Sequence, residues 1–248
     1  MIWLAGLFAL VAFVYASVGF GGGSTYTAIL ALWGVDYRLI PVIALLCNII
    51  VVTGGSIRFV RAGLISWPQV TPLLLVSAPL AFAGGLVPLK QYIFLTILGG
   101  ALFVSAIALL VQPDKMTPRV LPKPLLLAIS GGVGLLAGLS GIGGGIFMAP
   151  VLHLIRWAEP RRIAAFASLY ILINSAAGLL GQIIKSGSHA LAEPVLQYGV
   201  LLGAVLIGGQ LGSIFGMRYL SPRLLRRLTA ILVGYAALRL LGQANGLI

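Results

Sequence analysis

A glycine cluster breaks an apolar stretch twice in this chain. The first copy reads Gly19-Phe20-Gly21-Gly22-Gly23 and the second Gly141-Ile142-Gly143-Gly144-Gly145, 122 positions apart in 248 residues. Glycine loses more backbone freedom on ordering than any other residue, so a run of it ends a helix. A helix end inside an apolar segment bares N–H and C=O groups that lipid cannot satisfy, and such breaks survive only where they line a cavity or a site. Paired breaks in matching positions of two halves are the strongest sequence pointer to the binding site of a membrane carrier.

Composition fixes the surroundings of those breaks. The chain is 60% hydrophobic and 8% charged, with a mean hydropathy of +1.12, against about 25% charged residues in a soluble domain. This is the composition of an all-α polytopic membrane protein. The longest polar stretch runs only from about Gln112 to Pro124, so catalysis in a separate aqueous domain is excluded. The net charge of +12 does not indicate nucleic acid, because the basic residues stand singly or in short clusters between apolar runs, as topology-setting charges do. The single Cys47 lies in an apolar run and reads as a packed small side chain. The opening Met1-Ile-Trp-Leu-Ala5 has no positive flank, so a permanent segment is expected there, not a cleaved signal.

The apolar runs divide into two similar sets. Residues 1–112 form the first repeat, 113–123 the linker and 124–248 the second repeat. In each, a glycine-broken element comes first: Ile2–Ala16 with Ser24–Trp33, and Leu125–Leu139 with Ile146–Ile155. Three spans follow each: Leu39–Ile57, Trp67–Val87 and Gln91–Val111, then Ile163–Ile184, Pro194–Met217 and Leu224–Leu241. The full spans approach the ~20 residues needed to cross a bilayer. The broken elements have arms too short for comfortable crossings and fit a hairpin that dips in and returns.

Charge tests this arrangement. If each broken element crossed once, the 16 Lys and Arg residues would divide seven against nine. If each returns to its starting side, twelve fall on one side (Arg58, Arg61, Lys115, Arg119, Lys123, Arg156, Arg161, Arg162, Arg218, Arg223, Arg226 and Arg227). Arg38, Lys90, Lys185 and Arg239 fall on the other. The positive-inside rule favours the second division. Each half then makes three full spans plus a hairpin, the halves are inverted repeats, and the basic loops face the cytoplasm. The alternative is a parallel four-plus-four arrangement.

Several polar residues interrupt the apolar runs. Asn48 and Asn174 each follow a broken element, 25 and 29 residues after its last glycine. An amide in mid-span is costly unless it finds partners, and both are candidates to line a site. The alternative is an ordinary interhelical hydrogen bond. Gly21, Gly22, Gly23, Gly143, Gly144 and Gly145 offer backbone N–H groups, with Ser24 and Thr25 opening the first short arm. Helix N-termini attract anions, and two of them meeting at mid-membrane would suit a small oxyanion. Close helix packing is the plainer use of such glycines. Arg58 and Lys185, at span ends, could steer an anion or simply reach the interface. Gln182 and Gln210 are further polar candidates, and His153 could carry a proton. The four acids Asp36, Asp114, Glu159 and Glu193 all lie at span ends or in loops, so no intramembrane carboxylate relay is expected. No metal cluster, cofactor motif or Ser–His pair is recognisable.

Gly19-Phe-Gly-Gly-Gly23 with Ser24-Thr25, and Leu139-Ser-Gly-Ile-Gly-Gly-Gly-Ile-Phe-Met-Ala-Pro150, resemble the duplicated signature of the TauE/SafE sulfite-exporter family (TSUP, the 4-toluene sulfonate uptake permease type). The first copy has Ala28 where the second has Pro150. The resemblance spans essentially the whole chain. It implies a multi-pass protein of the bacterial inner membrane that transports a small sulfur-containing anion: sulfite, thiosulfate or an organosulfonate such as sulfoacetate. The residues alone indicate a carrier with an anion site. An anion channel using the same glycine loops, an intramembrane enzyme and a structural membrane subunit are the rival classes. The small faces Gly99-Gly100 and Gly208-Gly209 could pack within the chain or between protomers of a homodimer.

Overall fold

A computed structural model describes residues 1–111, 121–155, 157–187, 189–215 and 222–244. Among them the fold is helical throughout. The helices are α1 (Ile2–Ser17), α2 (Gly23–Leu32), α3 (Ile40–Arg61), α4 (Trp67–Leu86), α5 (Gln91–Val111), α6 (Lys123–Ser140), α7 (Gly145–Leu154), α8 (Pro160–Ser186), α9 (His189–Phe215) and α10 (Pro222–Ala244). Most of the expected linker, and the side chains of Arg223, Arg226 and Arg227, lie outside the described residues, as do Arg156 and Arg218. Five helices (α3, α4, α6, α8 and α9) are long and apolar enough to cross a membrane. Leu75, Val104, Leu196 and Ile207 are exposed on the outer surface, as lipid-facing side chains are. The protein is a multi-pass membrane protein.

The helix boundaries follow from local chemistry. Pro41, Pro68, Pro124 and Pro160 stand in the first turns of α3, α4, α6 and α8, where a missing N–H costs nothing. The short arms α2 and α7 both start from a left-handed glycine, Gly22 at φ +86° and Gly144 at φ +82°. Only glycine adopts that conformation without strain, so both breaks are set by the sequence itself. Both arms have 10 residues, about 15 Å, and Pro150 inside α7 does not shorten it relative to α2.

Packing repeats between the two sets of five helices. α1 lies on α9 and its counterpart α6 on α4; α2 lies on α10 and α7 on α5; α3 meets α8, and α5 meets α10. Glycines set the closest of these approaches. A Cβ on Gly208 or Gly212 would strike the Ala9 or Phe13 carbonyl, and one on Gly134 or Gly138 the Ser77 or Ala81 carbonyl. Thus Gly208 is used within the chain, between α1 and α9. A side chain at these positions would push the helices apart, which is how small residues draw membrane helices together.

The central pair α3 and α8 runs antiparallel. Ser56, late in α3, shares a 2.9 Å hydrogen bond with Ser168, early in α8, while Val42, early in α3, packs with Leu179, late in α8. Each broken element ends its long arm against the start of the other half's central helix. A Cβ on Gly19 would lie 3.1 Å from the Ala164 carbonyl of α8, and one on Gly141 2.6 Å from the Pro41 Cα of α3.

Candidate functional site

The two glycine motifs come together at α3 and α8. A Cβ on Gly21 would sit 2.5 Å from Asn48 Oδ1, one on Gly143 2.7 Å from Asn48 Nδ2, and one on Gly23 would collide with both the Asn48 amide and the Ile142 carbonyl. The second motif thus touches the first directly, and Asn48 lies between them. Bare glycine is required here for close approach, not merely for chain flexibility. Asn48 is fully buried, eight residues into α3, about 12 Å along its axis.

Asn48 is under-bonded. Its Nδ2 donates to the Gly141 carbonyl at 3.4 Å, a long hydrogen bond, and its Oδ1 accepts none. Ser175 Oγ and both amide atoms of Asn174 are also buried without a hydrogen bond. An unsatisfied buried polar group costs about 1–3 kcal/mol. Asn48, Asn174 and Ser175 lie on the facing helices α3 and α8.

The helix starts add donors. In α2 the first N–H groups to find helical acceptors are those of Thr25 and Tyr26, both on the Gly22 carbonyl; in α7 they are those of Phe147 and Met148, both on the Gly144 carbonyl. The N–H groups of Gly23, Ser24, Gly145 and Ile146 therefore have no intrahelical acceptor, as first-turn groups do not. They lie at the positive ends of two short helix dipoles. Ser24 is buried. Thr25 turns back into its own hairpin, where its hydroxyl meets the Tyr15 hydroxyl at 2.8 Å.

Asn174 does not occupy the place in its half that Asn48 occupies. That place belongs to Ile171, whose side chain would meet a Cβ on Gly21 at 3.2 Å and on Gly143 at 3.1 Å, and would collide with one on Gly145. Ile171 lies 26 residues past Gly145, close to the 25 that separate Asn48 from Gly23. Asn174 is three positions further along α8. Ser175 reaches the centre instead, with its Oγ 3.0 Å from where a Gly143 Cβ would be. Sequence reading missed both Ile171 and Ser175. The near-equal spacing was the only signal for Ile171, and its apolar character hid it.

The basic candidates are separated. Arg58 donates to Ser213 Oγ on α9, and a Cβ on Gly54 would lie 3.0 Å from its guanidinium and 2.8 Å from Gln210 Nε2. It is ten residues beyond Asn48 on α3, about 15 Å along the axis. Lys185 is near the opposite end of the fold, where its Nζ donates to the Val87 carbonyl at 3.4 Å. Gln182, one turn earlier, is buried and donates from Nε2 to the Gly138 carbonyl at 3.2 Å. His153 lies in the last turn of α7, away from the glycine contacts. Among the described residues no group of three or more His, Cys, Asp or Glu side chains could hold a metal ion.

The family model described as sulfite exporter TauE/SafE matches residues 4–240. The "Probable membrane transporter protein y4hK" of Sinorhizobium fredii is 35% identical, over 97% of this chain and 98% of its own length. A "Probable membrane transporter protein" of Haemophilus influenzae is 24% identical, over 61% of this chain and 58% of its own length. The "Probable membrane transporter protein MamO" of Magnetospirillum gryphiswaldense is 25% identical, over 95% of this chain and 44% of its own length. No solved structure matches.

Proposed function

Because the chain belongs to the sulfite exporter TauE/SafE family, a family of membrane transporters, we propose that it carries a small sulfur-containing anion across the bilayer by alternating access. The substrate class is sulfite, thiosulfate or an organosulfonate such as sulfoacetate. It binds between the two glycine motifs, at Gly21–Gly23 and Gly143–Gly145. The observation that carries this reading is the Asn48 amide, whose Nδ2 has two N–H groups and one partner, the Gly141 carbonyl, buried between two helix starts whose first N–H groups have no intrahelical acceptors. Neutral donors converging on one point bind an anion without burying an unpaired protein charge, which would be far more costly.

In this reading the second N–H of Asn48 Nδ2 and the N–H groups of Gly23, Ser24 and Gly145 donate to the sulfonate oxygens, with the Ser175 hydroxyl beside them. Thr25 braces the first arm through Tyr15. Asn174 stands at the edge of the site. Ile171 and Phe20 form its apolar wall. The two halves are inverted repeats, a reading supported by the antiparallel course of the equivalent helices α3 and α8 and by the twelve-to-four charge division. Transport then moves one hairpin-bearing bundle against the other. No cofactor takes part.

The test is thermal stabilisation of the purified protein by sulfite, thiosulfate, sulfoacetate, taurine, sulfate, phosphate and chloride, followed by counterflow in proteoliposomes. A selective rise in melting temperature with one sulfur anion follows from binding to the folded state. Saturable counterflow of the same anion identifies a carrier. Stabilisation by phosphate or chloride alone overturns the substrate class, and flux without counterflow identifies a channel.

A further inference from the structure

We propose that the cleft between Arg38, Gln182 and Lys185 is a second anion site, an antechamber that captures a small sulfonate or similar oxyanion before it reaches the Asn48 centre. This rests on the anion transport proposed above. The cleft holds about 210 Å³ and is bounded by Tyr37, Arg38, Pro41, Leu139, Gln182 and Lys185, among others. It is smaller than the ~300–1,000 Å³ of pockets for drug-sized ligands, so it admits an ion of a few heavy atoms.

Its charge is one-sided. Arg38 and Lys185 both line it, and among the described residues no carboxylate does. Asp36, two residues before Arg38, accepts the Arg38 backbone N–H through Oδ1 at 2.9 Å. The Arg38 guanidinium is held by its Nε, which donates to the Tyr37 hydroxyl at 3.2 Å, and it sits 5.5 Å from the centroid of the Tyr37 ring. This anchorage uses one of its five donors and leaves the forked end for an oxyanion. Lys185 spends one donor on the Val87 carbonyl and keeps two.

Leu139 and Pro41 line the cleft, and Gly141, at the end of α6, is pressed against Pro41. The last turn of α6 thus borders both the cleft and the centre. Gln182 holds it from the cleft side through the Gly138 carbonyl, and Asn48 holds it from the central side through the Gly141 carbonyl. A residue of the cleft and a residue of the centre therefore bond the same turn of α6. On the other side of the fold Gly19 is covered by Ala164 and Phe59, whose ring would meet a Gly19 Cβ at 3.4 Å.

The experiment uses a reporter thiol. Ser186, exposed at the rim of the cleft, is replaced in S186C, while Cys47 is buried and stays in place. The purified full-length protein is treated with 2-sulfonatoethyl methanethiosulfonate, itself an organosulfonate, and with the trimethylammonium analogue. The ratio of anionic to cationic reaction rates is expected to be about tenfold higher than in S186C/R38Q/K185Q. Methanesulfonate should slow the anionic reaction only where Arg38 and Lys185 are present, and S186C/R38K/K185R should keep both behaviours. Equal ratios with and without the two cations, or no protection by methanesulfonate, overturn the proposal. The central site is judged separately: flux that survives Asn48→Leu removes that reading while leaving the thiol rates at Ser186 to decide on the cleft.

Discussion

Asn48 and Ile171 hold equivalent places in the two halves of the protein. Each reaches the middle glycine of both motifs, Gly21 and Gly143, and each also reaches the last glycine of its own half, Gly23 or Gly145. One place is filled by an amide and the other by a branched hydrocarbon. The centre is therefore two-faced at this place, with an amide on α3 opposite a hydrocarbon on α8. A sulfonate is two-faced in the same sense, with oxygens at one end and, in the organic members, carbon at the other.

Asn48→Leu should separate stability from binding. Leucine has nearly the shape of asparagine and removes a buried oxygen that accepts no hydrogen bond. Losing the long Nδ2 bond to the Gly141 carbonyl offsets that relief, so the melting temperature of the empty protein should change little. Affinity for the sulfur anion should fall ten- to a hundredfold, about 1.5–3 kcal/mol. Isothermal titration alongside thermal melting reads both, and unchanged affinity would remove Asn48 from the site.

Ile171→Ala should relax selectivity. The isoleucine side chain fills the space against Gly21, Gly143 and Gly145, and its loss leaves room for a larger organic group. Competition by a series of alkyl and aryl sulfonates should show the size limit moving upward, with inorganic anions affected least. An unchanged ranking would mean that Ile171 does not face the ligand.

The helix contacts predict a contrast between glycines. Gly208→Ala and Gly138→Ala each drive a methyl group into a neighbouring backbone carbonyl and should cost about 1–3 kcal/mol. Gly132→Ala and Gly203→Ala meet nothing within 4 Å and should gain up to ~1 kcal/mol from helix propensity. Thermal unfolding in detergent would show falling and rising midpoints respectively.

Topology can be tested with single cysteines at exposed positions. D36C and S186C should react with a membrane-impermeant maleimide from the periplasmic side, and A62C and E159C only after the membrane is opened. Residue 36 follows the first hairpin and residue 159 the second, so this pattern requires inversion. D36C and E159C labelled from the same side would indicate parallel halves.

The sequence carried the breaks, the two short arms and the helix order, because these depend on glycine and proline, whose backbone effects are local. It did not carry the register between halves. Matching asparagine to asparagine leaves spacings of 25 and 29 residues from the last glycine, whereas the structure pairs Asn48 with Ile171, at 25 and 26. Residue identity is a poor guide where two halves have taken different roles at one position. Similarly, Arg58 and Lys185 read as a related pair in sequence, yet the antiparallel course of α3 and α8 carries them to opposite ends of the fold.

The last turn of α6 is held on its two sides by residues of different helices, Gln182 of α8 and Asn48 of α3. Whatever loosens one grip changes the load on the other. A solute arriving at the cleft and a solute seated at the centre would thus address the same short piece of backbone, and the barrier between them would behave like a latch with a handle on each side of the door. Such a latch lets the occupant of one room govern whether the other can be entered, which is what a carrier needs if it is not to leak.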